Sequence, residues 1–219
     1  MPSRELLLRL TEHLSVPVRE RNAMLVAAGF APLYRERPLD APELAAARGA
    51  VERILQGHLP HPALAVDRHW NLLSANRAVH ALLAGAGGAP PLPSGPLNVL
   101  RLTLHPAGLA GRILNLAEWR EHLLVRLAHE VERSADPVLA ALLDELKHYP
   151  APPRPASAPP ADGRIAVPFR LAGPEGPLSF ISTTTVFGTA VDVTLSELTI
   201  EAFFPADAET AAAMARLAA

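Results

Sequence analysis

Residues that favour β-strands are concentrated in two separate parts of this chain, and their order restricts the folds that it can adopt. Two short segments lie together near the middle, joined at Arg68–His69, and three longer ones come after a helical region. They are rich in Val, Ile, Phe and Thr and are bounded by turn residues. The predicted strands are 63–67, 70–75, 165–171, 178–187 and 198–204. This order predicts an α+β fold, a five-stranded antiparallel sheet with helices on one face.

Several helices are predicted from capping residues that precede apolar residues at helical spacing. Ser3 caps a helix over 3–15, and Gly29 ends a second helix over 18–28. Asp40 caps a third helix that ends at Gly57, with Pro42 in its first turn and Glu43 in a capping box. The further predicted helices begin after Asn76, span 99–104 after Asn98, span 117–133 and 136–148, and begin at Asp207.

Two segments are predicted to be loops or linkers. The segment 85–96 is rich in Gly and Pro, and 150–160 contains six prolines in eleven residues. We therefore expect a Pro-rich linker over 150–163 inside the domain that contains the sheet. The two N-terminal helices cannot bury their apolar stripes alone, and the rest of the sequence does not obviously supply partners.

Composition excludes several classes of protein. The formal net charge is -2, so the chain has no overall basic field for binding phosphates. Lys147 is the only lysine beside many arginines, which we attribute to genomic base composition. The absence of cysteine excludes disulfides and thiolate zinc sites. No signal peptide and no apolar run of about 20 residues occur, so we expect a soluble, cytoplasmic protein.

Candidate catalytic and metal-binding motifs are each explained better by ordinary structure. His58 and His61 flank a proline, and the sequence after His129 has Arg133 where a zinc-binding motif needs histidine. Glu118 and His122 are spaced as an exposed helix pair. Gly85–Gly88 lacks the context of a phosphate loop, and Thr183–Thr185 fit a strand. We therefore expect no enzymatic activity, no metal and no cofactor.

Three segments carry a family resemblance. The segment 62–83, PALAVDRHWNLLSANRAVHALL, resembles the first hairpin and following helix of a PAS domain. The segments 98–127, NVLRLTLHPAGLAGRILNLAEWREHLLVRL, and 178–207, LSFISTTTVFGTAVDVTLSELTIEAFFPAD, resemble the middle and the final sheet of the MmyB-like transcription-regulator ligand-binding family. The resemblance implies a PAS-like domain over 37–219 that senses a small hydrophobic, fatty-acid-like molecule. It also implies a homodimer.

The N-terminal segment 2–34 resembles the last two helices of an XRE/Cro-type helix-turn-helix domain. The resemblance implies that residues 1–36 are a remnant of that domain, whose recognition helix would precede Met1. A truncated fragment, a late start codon and a degenerated regulator are the alternatives. Operator DNA would then be bound only through residues absent from this chain.

The resemblance also implies an apolar slot between the sheet and the helices. We expect a carboxylate head to pair with Arg101, which is close in sequence to His105 and not far from Arg120. The apolar candidates for this slot are Leu64, Val66, Leu73, Leu82, Leu100, Leu104, Trp119, Leu123, Leu127, Phe169, Phe180 and Phe187. Two alternatives stay open: these side chains pack on one another, or the domain is a ligand-free dimerisation or protein-interaction module.

Overall fold

A single antiparallel sheet joins the early hairpin to the late strands. The computed structural model describes residues 2–84, 95–150, 152 and 166–217. The strands, in the spatial order β2-β1-β5-β4-β3, are antiparallel throughout. They are β1 (Ala63–Val66), β2 (Leu72–Ala75), β3 (Phe169–Gly173), β4 (Gly176–Val186) and β5 (Thr199–Pro205). The α+β class and the five-stranded sheet are confirmed.

Most of the helices pack on one face of the sheet. Because side chains alternate along a strand, Leu64 and Val66 of β1 face these helices, as do Phe169 of β3 and Phe180 of β4. Together they form the main apolar core. The helices in question are α4 (Arg77–Ala84), α5 (Val99–Leu104), α6 (Leu116–Ser134), α7 (Pro137–Lys147) and α9 (Ala208–Leu217).

Helix α3 (Ala45–Gly57) packs on the opposite face. Its Val51 and Leu55 form a second buried cluster with the alternate residues of β1, Ala63 and Ala65, and with Ile200 of β5. Strands β1 and β5 are therefore covered on both sides. This arrangement places the centre of the sheet directly between the main core and α3.

The two N-terminal helices form a small separate layer. Helix α1 (Arg4–His13) packs on α2 (Val18–Ala27), and α2 reaches the short helix α8 (Val193–Ser196). Leu7 and Leu25 are buried, whereas other large apolar side chains of this layer are exposed. The exposed ones are Leu6, Leu10, Leu14, Met24 and Val26. The expectation that these helices could not bury their apolar stripes is confirmed for α1.

Several predicted helix ends are confirmed. Ser3 caps α1, Asn98 caps α5 and Asp136 caps α7, each accepting a hydrogen bond from a backbone N–H. Gly29 has a φ of 80°, and Phe30 N donates to the Leu25 carbonyl, as the expected C-terminal motif requires.

Other predicted ends are wrong. Asp40 does not cap the third helix, which follows a single 3₁₀ turn at Pro42–Leu44 with no side-chain cap. At the start of α3, the carbonyls of Leu39 and Ala41 instead accept hydrogen bonds from the Arg48 side chain.

The start of β2 also differs from the prediction. Trp70 lies outside β2 because its φ of 66° places it in the turn. Helix α8, after the Gly188–Asp192 segment, was not predicted. Most of 85–96 and of the Pro-rich linker lies outside the described residues.

Candidate ligand-binding site

An apolar cavity of about 80 Å³ lies between the sheet and the helices of the main core. Its walls come from all the strands except β2 and from α4, α5 and α6, with Pro62 and Leu109 beside them. Among the described residues that line it, none carries a charge. They are Pro62, Leu64, Val79, Leu82, Leu83, Val99, Leu102, Thr103, Leu109, Trp119, Phe169, Leu171, Phe180 and Phe203.

Two kinds of periodicity build this wall. On β3, Phe169 and Leu171 are two residues apart and therefore point to the same face of the sheet. On α4, Val79, Leu82 and Leu83 follow the i, i+3, i+4 spacing of one helix face. The sheet thus supplies a rigid aromatic and aliphatic floor, and α4 supplies an aliphatic wall.

Aromatic rings form one side of the cavity. The centroid of the Trp119 ring lies 5.0 Å from that of Phe169 and 5.3 Å from that of His122. Phe169 in turn lies 5.9 Å from Phe203. Burial, followed by the nearby Arg126 charge, lowers the pKa of His122 and so favours its neutral imidazole. The aromatic side of the cavity is therefore uncharged near neutral pH.

The indole N–H of Trp119 is buried without a hydrogen-bond partner among the described residues. The side chain as a whole is only 5% exposed. In contrast, the other tryptophan, Trp70, donates its Nε1–H to Glu130 Oε2 at 2.9 Å. Buried indole N–H groups usually find an acceptor, so Trp119 differs from Trp70 in leaving its donor unsatisfied among the described residues.

Arg101, the expected anchor for a carboxylate, is occupied by another side chain. Its Nε and Nη2 donate to the two carboxylate oxygens of Glu145 at 2.7 to 3.0 Å. Tyr149 donates its hydroxyl to the same carboxylate, and the ring of His105 contacts that of Tyr149 edge to face. These hydrogen bonds from Arg101, against the opposing effect of burial, lower the pKa of Glu145. Neither Arg101 nor His105 lines the cavity.

A different arginine lies at the edge of the cavity. Arg112 donates to the carbonyl of Leu82, a lining residue of α4, at 3.1 Å, and to the carbonyl of Ala172 on β3 at 3.0 Å. It has no carboxylate partner among the described residues, and burial lowers its pKa. Arg112 therefore connects α4 to the sheet where two cavity walls meet. Arg112 lies in the 3₁₀ turn Ala110–Arg112, and no sequence pattern around it predicted that it would connect α4 to the sheet.

Comparison with protein families agrees with this architecture. The model of the MmyB-like transcription regulator ligand binding domain matches residues 47–217. The chain belongs to this family. A search of curated proteins finds no match. The matched region of this MmyB-like domain includes every strand of the sheet and every residue that lines the cavity.

The predicted ligand-contacting residues of the MmyB-like domain fall into three groups. Leu64, Leu82, Trp119, Phe169 and Phe180 line the cavity. Others are buried in the main core but do not line it: Val66, Leu100, Leu104, Leu123 and Leu127. Leu73 is 38% exposed on β2, and Phe187 packs with the α3 cluster, so both lie away from the cavity.

A second, polar cleft of about 670 Å³ lies between the N-terminal helices and the MmyB-like domain. Arg19 of α2 crosses it and donates to Glu197 at 2.6 Å and to Glu36 at 2.9 Å. Opposite, Arg126 lies over the Trp70 ring with its guanidinium carbon 4.6 Å from the centroid. Ion pairs join side chains that line this cleft, among them Arg19 with Glu197, Arg68 with Asp136 and Arg126 with Glu130.

The described residues bring no metal-binding group together. Nowhere among them do three or more acidic or histidine side chains meet as a cation site would require. His58 contacts the Phe203 carbonyl through Nε2 at 3.1 Å, and its ring meets that of Phe204 edge to face. None of the helices in the described part is long and apolar enough to cross a membrane.

Proposed function

We propose that this MmyB-like domain is the sensory part of an XRE-family helix-turn-helix regulator and that it binds a small hydrophobic, fatty-acid-like molecule in the apolar cavity. The observation that carries the proposal is the uncharged cavity between sheet and helices, which is lined almost entirely by apolar side chains. Empty space of this kind costs free energy because its lining loses packing contacts, so a bound hydrophobic molecule would stabilise the domain. Residues 1–36 would be the remnant of the DNA-binding domain and 37–219 the sensor.

A fatty-acyl chain requires the cavity to enlarge. An apolar cavity of about 150 Å³ accommodates benzene, roughly twice the space found here. Helix α4 is the wall that can yield most readily, because its lining residues Leu82 and Leu83 are only partly buried. Burying about ten methylenes of the ligand contributes roughly 8 kcal/mol of binding free energy before association costs. A ligand must favour one state of the protein by about 5.5 kcal/mol to reverse a two-state equilibrium, so the hydrocarbon chain is large enough for this purpose.

The sheet offers a route from the cavity to α3. On β1, Leu64 lines the cavity while Ala63 and Ala65 contact the α3 cluster on the other face. On β5, Phe203 lines the cavity and Ile200 contacts α3. A ligand that displaces the cavity-side residues of these strands would therefore change how the opposite face of the sheet packs against α3. We propose that α3 passes this change to the DNA-binding segment or to a second protomer.

Binding of graded amphiphiles tests the proposal. Saturated acids and alcohols of six to fourteen carbons should raise the melting temperature, with an optimum length set by the enlarged cavity. Val79→Phe should abolish the effect, because Val79 lines the cavity and the larger ring fills it. Val138→Phe is the matched control, since Val138 is exposed on α7. If no compound of any length stabilises the protein, the proposal is wrong.

An interaction module is the second candidate, and one observation favours it. Ile181 and Phe204 are paired across β4 and β5 on the α3 side of the sheet and are 42% and 45% exposed. We propose a homodimer through this face. Light scattering should then give twice the monomer mass at micromolar concentration, and Ile181→Asp should return the monomer. A monomeric wild-type protein at 100 µM would contradict this candidate.

We further propose that the chain has no enzymatic activity and works in the cytoplasm, where a transcription regulator meets DNA. The described residues of the cavity contain no nucleophile with an adjacent base.

A further inference from the structure

Arg112 is a cation at the rim of the apolar cavity. Its Nη1 donates to the carbonyl of Leu82, a lining residue of α4, at 3.1 Å. Its Nε and Nη2 donate to the carbonyl of Ala172 at 3.3 and 3.0 Å, and Ala172 follows the lining residue Leu171 on β3. Because β3 is an edge strand, the guanidinium lies where the helices meet the open side of the sheet. A charged ligand group at Arg112 would therefore be next to the cavity without entering its apolar interior.

The guanidinium of Arg112 has donors that these two carbonyls do not use. An arginine side chain carries five N–H groups, and Arg112 makes three hydrogen bonds, one from each nitrogen. Nη1 and Nη2 each carry a second N–H, and these two groups have no acceptor among the described residues. A carboxylate matches such a pair of donors, because its two oxygens and its charge give strong hydrogen bonds to a guanidinium.

Arg112 also lacks a counter-charge. No carboxylate contacts it within the described part of the chain, and burial lowers its pKa. In contrast, Arg101 is paired with Glu145 and Arg19 with Glu197. A half-buried cation without a counter-charge costs free energy, so an anionic ligand group would stabilise this position.

The other cations that the structure describes are less suitable. Among the described arginines and Lys147, only the Arg112 side chain forms a hydrogen bond to a residue that lines the cavity. The His58 ring contacts the carbonyl of Phe203, another lining residue. However, this ring also meets that of Phe204 on the α3 side of the sheet, which is the face opposite the cavity.

We infer that Arg112 binds the carboxylate of a fatty-acid ligand through Nη1 and Nη2, at the junction of α4 and β3, while the hydrocarbon chain occupies the apolar cavity. This inference rests on the proposed sensory function and assigns the head group of the ligand to a specific residue. It replaces Arg101, whose donors are held by Glu145, as the partner of the carboxylate.

Decanoate and decan-1-ol test the inference, because they share a chain length and differ in the charge of the head group. Titration calorimetry at about pH 7.5 should show that the wild-type chain binds decanoate about tenfold more tightly than decan-1-ol. Arg112→Met should bind the two compounds with similar affinity. Arg120→Met is the matched control and should keep the preference. Arg120 also donates to two backbone carbonyls, but these belong to Leu146 and Lys147, which do not line the cavity.

A measurement on the wild-type chain makes the test independent of how well Arg112→Met folds. Decanoate labelled with ¹³C at the carboxyl carbon should titrate, when bound, with a pKa below that of free decanoic acid, because a nearby cation favours the charged form whereas burial alone would raise the pKa.

The possible failures are distinguishable. Equal wild-type affinities for acid and alcohol, an undiminished preference in Arg112→Met, or a raised or unchanged pKa of the bound carboxyl would overturn the inference and leave the cavity as a site for the hydrocarbon chain. If the wild-type chain binds neither compound, nor any acid or alcohol of the other lengths, the proposed sensory function itself is wrong.

Discussion

Asn76 connects four segments of the chain through its side chain. The amide donates to the carbonyls of Leu55 and His61, and Oδ1 accepts from the backbone N–H groups of Ala63 and Val79. The residue is completely buried. It therefore joins the end of α3 to β1 and to α4. The sequence predicted only its role as a helix cap, because its partners up to 21 residues away depend on the fold.

Removal of this amide should be costly. Asn76→Ala leaves several buried backbone groups without partners, so we expect the free energy of unfolding to fall by about 3 kcal/mol. Chemical denaturation measures the change. Gln56→Ala is the control: its side chain is exposed and bonds only to Glu52, so the loss should stay below about 0.5 kcal/mol. Similar losses for both variants would contradict the assigned role of Asn76.

The pair Arg101–Glu145 predicts a pH dependence of stability. The Arg101 hydrogen bonds lower the pKa of Glu145 in the folded protein relative to the unfolded value of about 4.3. The pair thus stabilises the fold above that value, and the contribution is lost as the pH falls through the lower, folded-state pKa.

Glu145→Gln should therefore reduce the free energy of unfolding at pH 7 and flatten its decline below about pH 4. Because both side chains are about a third exposed, the loss should be less than about 1 kcal/mol. Asp144→Asn, at the neighbouring exposed position, is the matched control. A variant with the unaltered acid dependence of the wild type would contradict the assignment.

At the scale of secondary structure, the sequence predicted correctly those helix ends that are capped by a residue close by in the chain. The caps Asn98 and Asp136 are correct because each accepts from a backbone N–H two or three residues ahead. The start of α3 was wrong because Arg48, from within the helix, binds the carbonyls of Leu39 and Ala41. The candidate site shows the same difference between contacts set by nearby residues and contacts set by the fold. The strand residues Phe169 and Phe180 were predicted to line the cavity, whereas the pairing of Arg101 with a residue 44 positions away was not.

The attachment of the N-terminal helices can be tested through Arg19. Its hydrogen bonds to Glu197 join α2 directly to the MmyB-like domain, whereas the Asn22 side chain of α2 bonds only to the segment at Leu33 and Tyr34. Arg19→Met should therefore accelerate amide hydrogen exchange in α1 and α2 about fivefold without changing the main core. Arg9→Met, which removes only an exposed pair with Glu5, should have little effect. Unchanged exchange in Arg19→Met would show that Arg19 does not attach α2 to the domain.

For the whole molecule, the order of the predicted strands was sufficient to anticipate one antiparallel sheet. The early hairpin joins the late strands through β1 and β5, with Leu64 opposite Glu201 and Ala65 opposite Ile200. The size of the cavity could not be anticipated, because it depends on small displacements of helices that sequence periodicity does not determine. The placement of α3 on the opposite face likewise follows from packing with Ile200, a contact distant in sequence.

The central claim is that the cavity between the sheet and the main-core helices binds a small hydrophobic molecule. The most direct measurement is a crystal structure of the protein grown with the saturated fatty acid that stabilises it most. We predict density for the hydrocarbon chain between Leu102 and Phe180. A core closed by its own side chains, with the fatty acid absent or bound in the polar cleft beside Arg19, would contradict the claim.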